Sequence, residues 1–266
     1  MKLALLIITL VFSVNIFSQE LLVIKSENLK CDDSLLVFTP KNIKIAPGHN
    51  TPALFLLHGW SGNYRNWRHQ TDIQAVSDKY GFIIITPDGF YNSWYLNNVD
   101  PAKMQWRTFF DKELYPQIMS KYKLNPERTF ITGLSMGGHG AINIFLDDTT
   151  RFKAAGSMSG VLNLHDTRLK EGQMTEILGP YSIDSPLFNQ NSAVNRLEGL
   201  KGMKKTMIIS CGAQDGLAKS SREFSAKCDE LKISNILIMS PGVHSWPYWI
   251  FALDLHLYFF SRELLM

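Results

Sequence analysis

An α/β fold with a mostly parallel sheet covered on both faces is predicted by three observations. Short apolar runs alternate with helical stretches along most of the 266 residues. The runs are uninterrupted rather than alternating apolar with polar, which is how strands buried on both faces read. The third observation is the turn Gly133-Leu134-Ser135-Met136-Gly137, set between one such run and the helical stretch that follows it. Parallel strands need crossover connections, and helices of the predicted length provide them.

Taken in order, Lys2, the apolar run over residues 3–14 and the small residue Ser18 predict an export signal over residues 1–18, cleaved before Gln19. The run is short for a membrane span. Residues 19–266 are therefore expected to be one soluble domain, periplasmic or secreted, with no stable membrane insertion. β-prone residues 21–28 and 34–38 flank the polar turn 30–33 and predict an antiparallel N-terminal hairpin. Strands follow at 53–57, 82–86, 128–132, 154–158, 206–211 and 236–239, and helices at 71–80, 104–122, 138–146, 220–231 and 246–257. Pro116 lies inside the second of these helices and is expected to kink or split it. Residues 161–200 are polar and turn-rich, and are expected to form an insertion over the carboxyl edge of the sheet, where ligands bind in open α/β folds.

The formal net charge of +3, without a basic run, argues against nucleic acid as a partner. Three cysteines, Cys31, Cys211 and Cys228, leave at least one unpaired within the chain. Cys211 and Cys228 either bridge a strand end to the next helix or stay buried as thiols. None sits in an activating motif, so thiol catalysis is not indicated.

The Gly133–Gly137 turn has the context of a nucleophile elbow: a strand, a sharp turn holding a serine, then a helix. Ser135 needs a base to take its proton, and the base needs a carboxylate to hold its tautomer. Asp215, in a Gly-bounded loop after strand 206–211, and His244, in the loop after strand 236–239, both stand at the carboxyl edge with Ser135. His139 lies one turn along the nucleophile's own helix, and His58 ends an earlier strand, so both fit a base less well. Asp166 and Asp184 in the insertion compete for the acid role. A developing oxyanion needs two donors. The Met136 N–H at the helix start is one, and the Trp60 N–H in His58-Gly59-Trp60-Ser61-Gly62 is the other.

These segments together resemble the putative esterase, or esterase D-like, family of α/β-hydrolases, which includes tributyrin, feruloyl and acetylxylan esterases, S-formylglutathione hydrolases and mycolyltransferases. The likeness spans nearly all of residues 19–266. It is carried by Leu56-Leu-His-Gly-Trp-Ser-Gly62 with Trp67, residues 82–88, residues 129–138, Gly212 to Asp215, and Gly242-Val-His-Ser-Trp-Pro-Tyr-Trp249. It implies an α/β-hydrolase fold with Ser135, Asp215 and His244 as nucleophile, acid and base, and Trp60 and Met136 as oxyanion donors. It implies a serine carboxylesterase for short acyl esters, on small molecules or acylated carbohydrates, that requires no cofactor or metal.

His58 to Asn63 with Trp67 is most similar to the tributyrin-esterase branch. Val243 departs from the second glycine expected before the histidine. Trp94, in the loop after strand 82–86, and His139 are candidate substrate-contacting residues, whereas Trp246 and Trp249 are expected to anchor the His244 loop. Acyl transfer to an alcohol with the same triad is the runner-up within the enzyme class. A non-catalytic scaffold is the competing class, disfavoured because all three triad members stand in strand-end loops.

Overall fold

The computed structural model describes residues 19–41, 50–165 and 172–266. The expected export signal lies outside them, as do Asp166 and His49. The strands are β1 (Gln19–Ser26), β2 (Cys31–Phe38), β3 (Ala53–Leu57), β4 (Ile83–Pro87), β5 (Thr129–Gly133), β6 (Ala154–Met158), β7 (Thr206–Gly212) and β8 (Asn235–Ser240). They form one sheet in the order β1-β2-β4-β3-β5-β6-β7-β8. β1 and β2 are antiparallel, as are β2 and β4, and every later pair is parallel. This is the α/β-hydrolase fold, with an antiparallel N-terminal hairpin.

β3 shows why its residues read as an unbroken apolar run. Ala53, Phe55 and Leu57 enter one core, and Leu54 and Leu56 enter the other on the opposite face. Strand side chains alternate between faces, so a sheet covered twice needs apolar residues at both parities. On one face lie α1 (Asn66–Gln70), α2 (Ile73–Tyr80) and, from the C-terminus, the helix Trp246–Glu263. On the other lie α3 (Trp106–Phe109), α4 (Tyr115–Lys121), α5 (Met136–Asp147) and the helix Ala218–Glu230. Between them in sequence come two short helices, α6 (Gln173–Leu178) and α7 (Pro186–Asn191), which makes the last two α8 and α9.

Where structure and expectation differ, local chemistry explains it. The hairpin turns at residues 27–30 rather than 30–33, because Ser26 pairs with Cys31 and Lys30 takes the left-handed conformation at φ 64°. The helix expected over 104–122 is split. A π-turn over Phe110–Leu114 joins α3 to α4, and Pro116, which has no N–H to give to the preceding turn, sits in the first turn of α4. α9 continues past residue 257 because Leu253, Leu257 and Phe260 sustain its buried stripe to the end.

His256 stands in that stripe and bridges the sheet from below, its ring nitrogens 2.9 Å from Thr132 Oγ1 and Ser210 Oγ. Burial holds its pKa down at about 3, so it is a neutral core residue. Cys211 and Cys228 are buried free thiols, and burial raises both.

The described part of residues 161–200 packs down the flank of α5. Phe188, Leu197 and Leu200 enter the core there, and Arg196 reaches Asn143 and Asp147. Its α6 end reaches the loop after β4, where the Val99 N–H donates to the Ile177 carbonyl at 2.8 Å. Among the described residues no helix is long and apolar enough to cross a membrane.

Candidate active site

The elbow is built by two glycines that face each other. A Cβ on Gly133 would lie 2.6 Å from Gly137 C and O, and one on Gly137 would lie 2.5 Å from the His58 carbonyl and 2.6 Å from that of Leu57. No side chain fits either gap. Ser135 is thereby held at φ 51°, ψ −115°, a strained conformation for a non-glycine residue. Its N–H donates to the Met158 carbonyl at 2.9 Å, which ties the turn to β6. The strain lifts the serine side chain clear at the start of α5.

Asp215 and His244 come to it on stitched loops. Ala213 N–H donates to the Ser240 carbonyl at 2.8 Å, Gln214 N–H to Gly242 O at 3.0 Å, and Gly242 N–H to Gln214 Oε1 at 2.9 Å. The result is a continuous relay: Ser135 Oγ lies 2.9 Å from His244 Nε2, and His244 Nδ1 lies 2.9 Å from Asp215 Oδ2. The Asp215 side chain is fully buried and that of His244 is 37% exposed. Burial works to raise the Asp215 pKa, but hydrogen bonds from His244 and from the Leu217 amide outweigh it, and the carboxyl stays below its usual range. It is therefore ionised at neutral pH and able to hold an imidazole in the tautomer that leaves Nε2 free to accept.

The turn after β3 is pressed against the elbow. A Cβ on Gly59 would lie 2.5 Å from Leu134 Cδ1 and 3.5 Å from Ser135 Cβ. Among the described residues neither the Trp60 nor the Met136 amide donates to another backbone carbonyl. Two unspent N–H groups beside a serine suit a developing oxyanion.

Residues 26–260 match the family model described as Putative esterase. The chain belongs to the Putative esterase family. An acetyl esterase from Caldicellulosiruptor saccharolyticus is 26% identical over 243 residues, covering 84% of this chain and 91% of the relative. An S-formylglutathione hydrolase from Mus musculus is 24% identical over 249 residues, covering 85% and 86%. A solved ferulic acid esterase superposes with a TM-score of 0.77 at 25% identity, over 93% of this chain and 99% of that one. The chain is thus a carboxylic ester hydrolase.

Around the turn after β3 of this esterase lies a scaffold that the sequence showed only in part. His58 is buried, and its Nε2 accepts from the Gly89 N–H at 2.7 Å, which places the proton on Nδ1, 2.8 Å from Gly59 O. Tyr95 Oη donates to the His58 carbonyl at 2.8 Å, and Trp67 Nε1 to that of Leu57 at 3.2 Å. Trp67 also meets Trp246 edge-on at 5.2 Å, Trp246 meets Trp249 at 5.4 Å, and Trp249 meets His244 at 4.8 Å. The aromatic chain couples the end of β3 to the His244 loop. The glycine-rich turn alone signals none of this, because the partners are scattered between residues 58 and 249. Val243 is 52% exposed, so the loop accommodates it without displacing His244.

Two expected substrate contacts are corrected. Trp94 is 1% exposed and His139 is fully buried, and they pack edge to face at 5.7 Å. His139 Nδ1 meets the Val161 carbonyl at 3.0 Å, and burial pulls its pKa down to about 3. Both are packing residues beneath the site, because the loop after β4 folds inward with Trp94 and Tyr95 at positive φ.

Asp33 on β2 is buried behind this scaffold, where burial and the neighbouring Asp88 carboxylate push its pKa up to about 8. An unfolded aspartate titrates near ~3.9. Between those values the folded chain holds a proton that the unfolded chain has lost, so this group costs stability as pH rises through the window. Asp33→Asn removes that cost. Its denaturation midpoint, compared with the parent, is expected to shift progressively in the variant's favour from pH 4 to pH 8. A difference constant with pH would show that Asp33 does not change its ionisation on folding.

Proposed function

We propose that this chain is a serine carboxylesterase that acts through an acyl-enzyme on Ser135. The observation that carries the reading is the 2.9 Å plus 2.9 Å relay from Ser135 Oγ through His244 to Asp215. His244 takes the Ser135 proton as Oγ attacks the ester carbonyl, and Asp215 stabilises the imidazolium that forms. The Trp60 and Met136 amides hold the oxyanion. Collapse of the tetrahedral intermediate breaks the C–O bond, and His244 returns its proton to the leaving alcohol. Water, deprotonated by the same histidine, then releases the acid and restores Ser135. Labelling by a fluorophosphonate, followed by peptide mapping, tests the assignment: the adduct is expected on Ser135. Its absence there from an esterase-active sample would overturn the mechanism.

Short acyl groups, acetyl to butyryl, are the proposed substrates, on small alcohols or acylated carbohydrates. The acetyl esterase and ferulic acid esterase relatives support this class. So does Trp60, 43% exposed and set edge-on to Tyr91 at 5.1 Å in the turn after β3, which on this reading narrows the entrance beside Ser135. Across p-nitrophenyl esters of increasing length, kcat/KM is expected to peak at or below butyrate. A higher value for dodecanoate would remove the narrow-entrance reading.

Export is part of the same proposal, resting on Lys2, the apolar run 3–14 and Ser18. Amino-terminal sequencing of the protein recovered from cells is expected to begin at Gln19, and recovery of an intact Met1 terminus from the cytosol would refute it.

A further inference from the structure

A cavity of about 780 Å³ opens on the flank of α5, between residues 96–99, the start of α3, and α7 with the turn that follows it. That volume is typical of small-molecule sites. Asp147, which lines its floor, lies twelve residues past Ser135 on α5. At ~1.5 Å of helix rise per residue it stands about 18 Å along the helix from the nucleophile.

The charged wall is unbalanced. Arg107, only 8% exposed, donates from Nε to the Tyr95 carbonyl at 3.0 Å and from Nη1 to Asp147. Its Nη2 is buried with no acceptor among the described residues. Arg196 donates from Nη2 to the same Asp147 carboxylate, and from Nη1 to Asn143 Oδ1 at 2.9 Å. Two guanidiniums therefore share one carboxylate. The next acid, Asp111, is taken by Arg151, and His139 nearby is neutral. A covered positive charge without its own counterion, and a buried donor without an acceptor, are both costly unless something else supplies the partner.

The facing wall is rich in amides already set in place. Asn189 Oδ1 is held by His165 Nε2 at 3.1 Å and by Asn195 Nδ2 at 3.2 Å, and Asn191 Nδ2 donates to the Leu187 carbonyl at 2.8 Å. These bonds leave the side-chain oxygens of Asn191 and Asn195 without a partner among the described residues, and the exposed Gln190 amide stands beside them. Fixed acceptors next to amide donors suit hydroxyl groups, which donate and accept at once.

We propose that this cavity binds a polyhydroxylated carboxylate, with the chemistry of a uronic or aldonic acid. Its carboxylate meets the field of Arg196 and Arg107, and its hydroxyls meet the amides of Asn191 and Asn195. A neutral sugar would leave the charge unmet, and a simple carboxylate would leave the amides unused. Leu96 and Asn98 also line a smaller cavity with Phe90 and Tyr91, and Tyr91 packs on Trp60 at the oxyanion turn. The cavity is thus placed to hold the far end of an ester cleaved at Ser135. That placement rests on the esterase reading, whereas the binding itself does not.

Calorimetric titration of the purified chain with sodium glucuronate, glucose and sodium acetate tests the proposal, with thermal melts and circular dichroism as fold controls. None of these probes is an ester, so the outcome is independent of Ser135 chemistry, and Ser135→Ala is expected to bind as the parent does. Saturable glucuronate binding is expected. Arg196→Gln should weaken it about ten- to a hundredfold, the scale of a charged hydrogen bond, and glucose and acetate should each bind at least about tenfold more weakly. Asn195 is exposed, so Asn195→Leu provides a second variant if Arg196→Gln fails to fold, and it too should weaken glucuronate. No saturable binding of glucuronate, equal binding of glucose, or undiminished binding by the folded variants would each overturn the assignment.

Discussion

Ser135→Ala is expected to lower esterase turnover by roughly a million-fold, the scale measured for loss of the nucleophile in serine triads, while the thermal melt stays close to that of the parent. The substitution removes one oxygen at the start of α5. The Ser135 N–H bond to Met158 and the close approach of Gly133 to Gly137 do not depend on that oxygen. Alanine adopts φ 51° at about the same backbone cost as serine, so no collapse of the fold is expected. The decisive measurement is single-turnover acylation with an activated aryl ester. Residual hydrolysis over background then reports what the Trp60 and Met136 amides contribute alone. Comparable hydrolysis by variant and parent would end the serine mechanism.

His244→Ala is expected to cost nearly as much as Ser135→Ala, and Asp215→Asn less, on the order of ten-thousand-fold. The asymmetry follows from the relay. Without His244 nothing takes the Ser135 proton, whereas asparagine at 215 leaves an imidazole in place but in the wrong tautomer. Combining either substitution with Ser135→Ala should add almost nothing, because the three residues act as one unit. The kcat values of the double variants check this, and additive losses would mean that the acid or the base is another residue. Asp215→Asn should also weaken the acid dependence of stability. The Asp215 carboxyl lies below its usual range in the fold, so it contributes stability above the unfolded aspartate pKa and loses it as pH falls through the lower, folded value.

Much of the site was legible because its chemistry is local. The elbow announces itself in five consecutive residues, since the backbone packing that excludes side chains at 133 and 137 is a property of the turn. Asp215 and His244 were legible for a related reason. Each follows an apolar run that can only be a buried strand, and the ends of parallel strands meet at one edge. The tryptophans at 246 and 249 were correctly expected to anchor the histidine loop, but their continuation to Trp67 was not visible. Trp94 and His139 were misjudged for a physical reason. An aromatic in a strand-end loop reads alike whether the loop folds outward or inward, and the turn to positive φ at residues 94 and 95 is set by packing against α5 and Trp106. The split of the helix over 104–122 was foreseeable from Pro116, whereas the π-turn that absorbs it was not.

The sequence by itself determined most strands, the two-sided core and the strand-end positions of Ser135, Asp215 and His244, because periodicity, turn chemistry and strand-end position are local properties of the chain. Only the tertiary structure decided the tautomer of His58, the buried proton on Asp33, the inward burial of Trp94 and His139, and the sharing of Asp147 between Arg107 and Arg196. Each of these depends on burial and on the pairing of groups distant in the chain. Burial sets the local dielectric, and the local dielectric sets which charges need a partner.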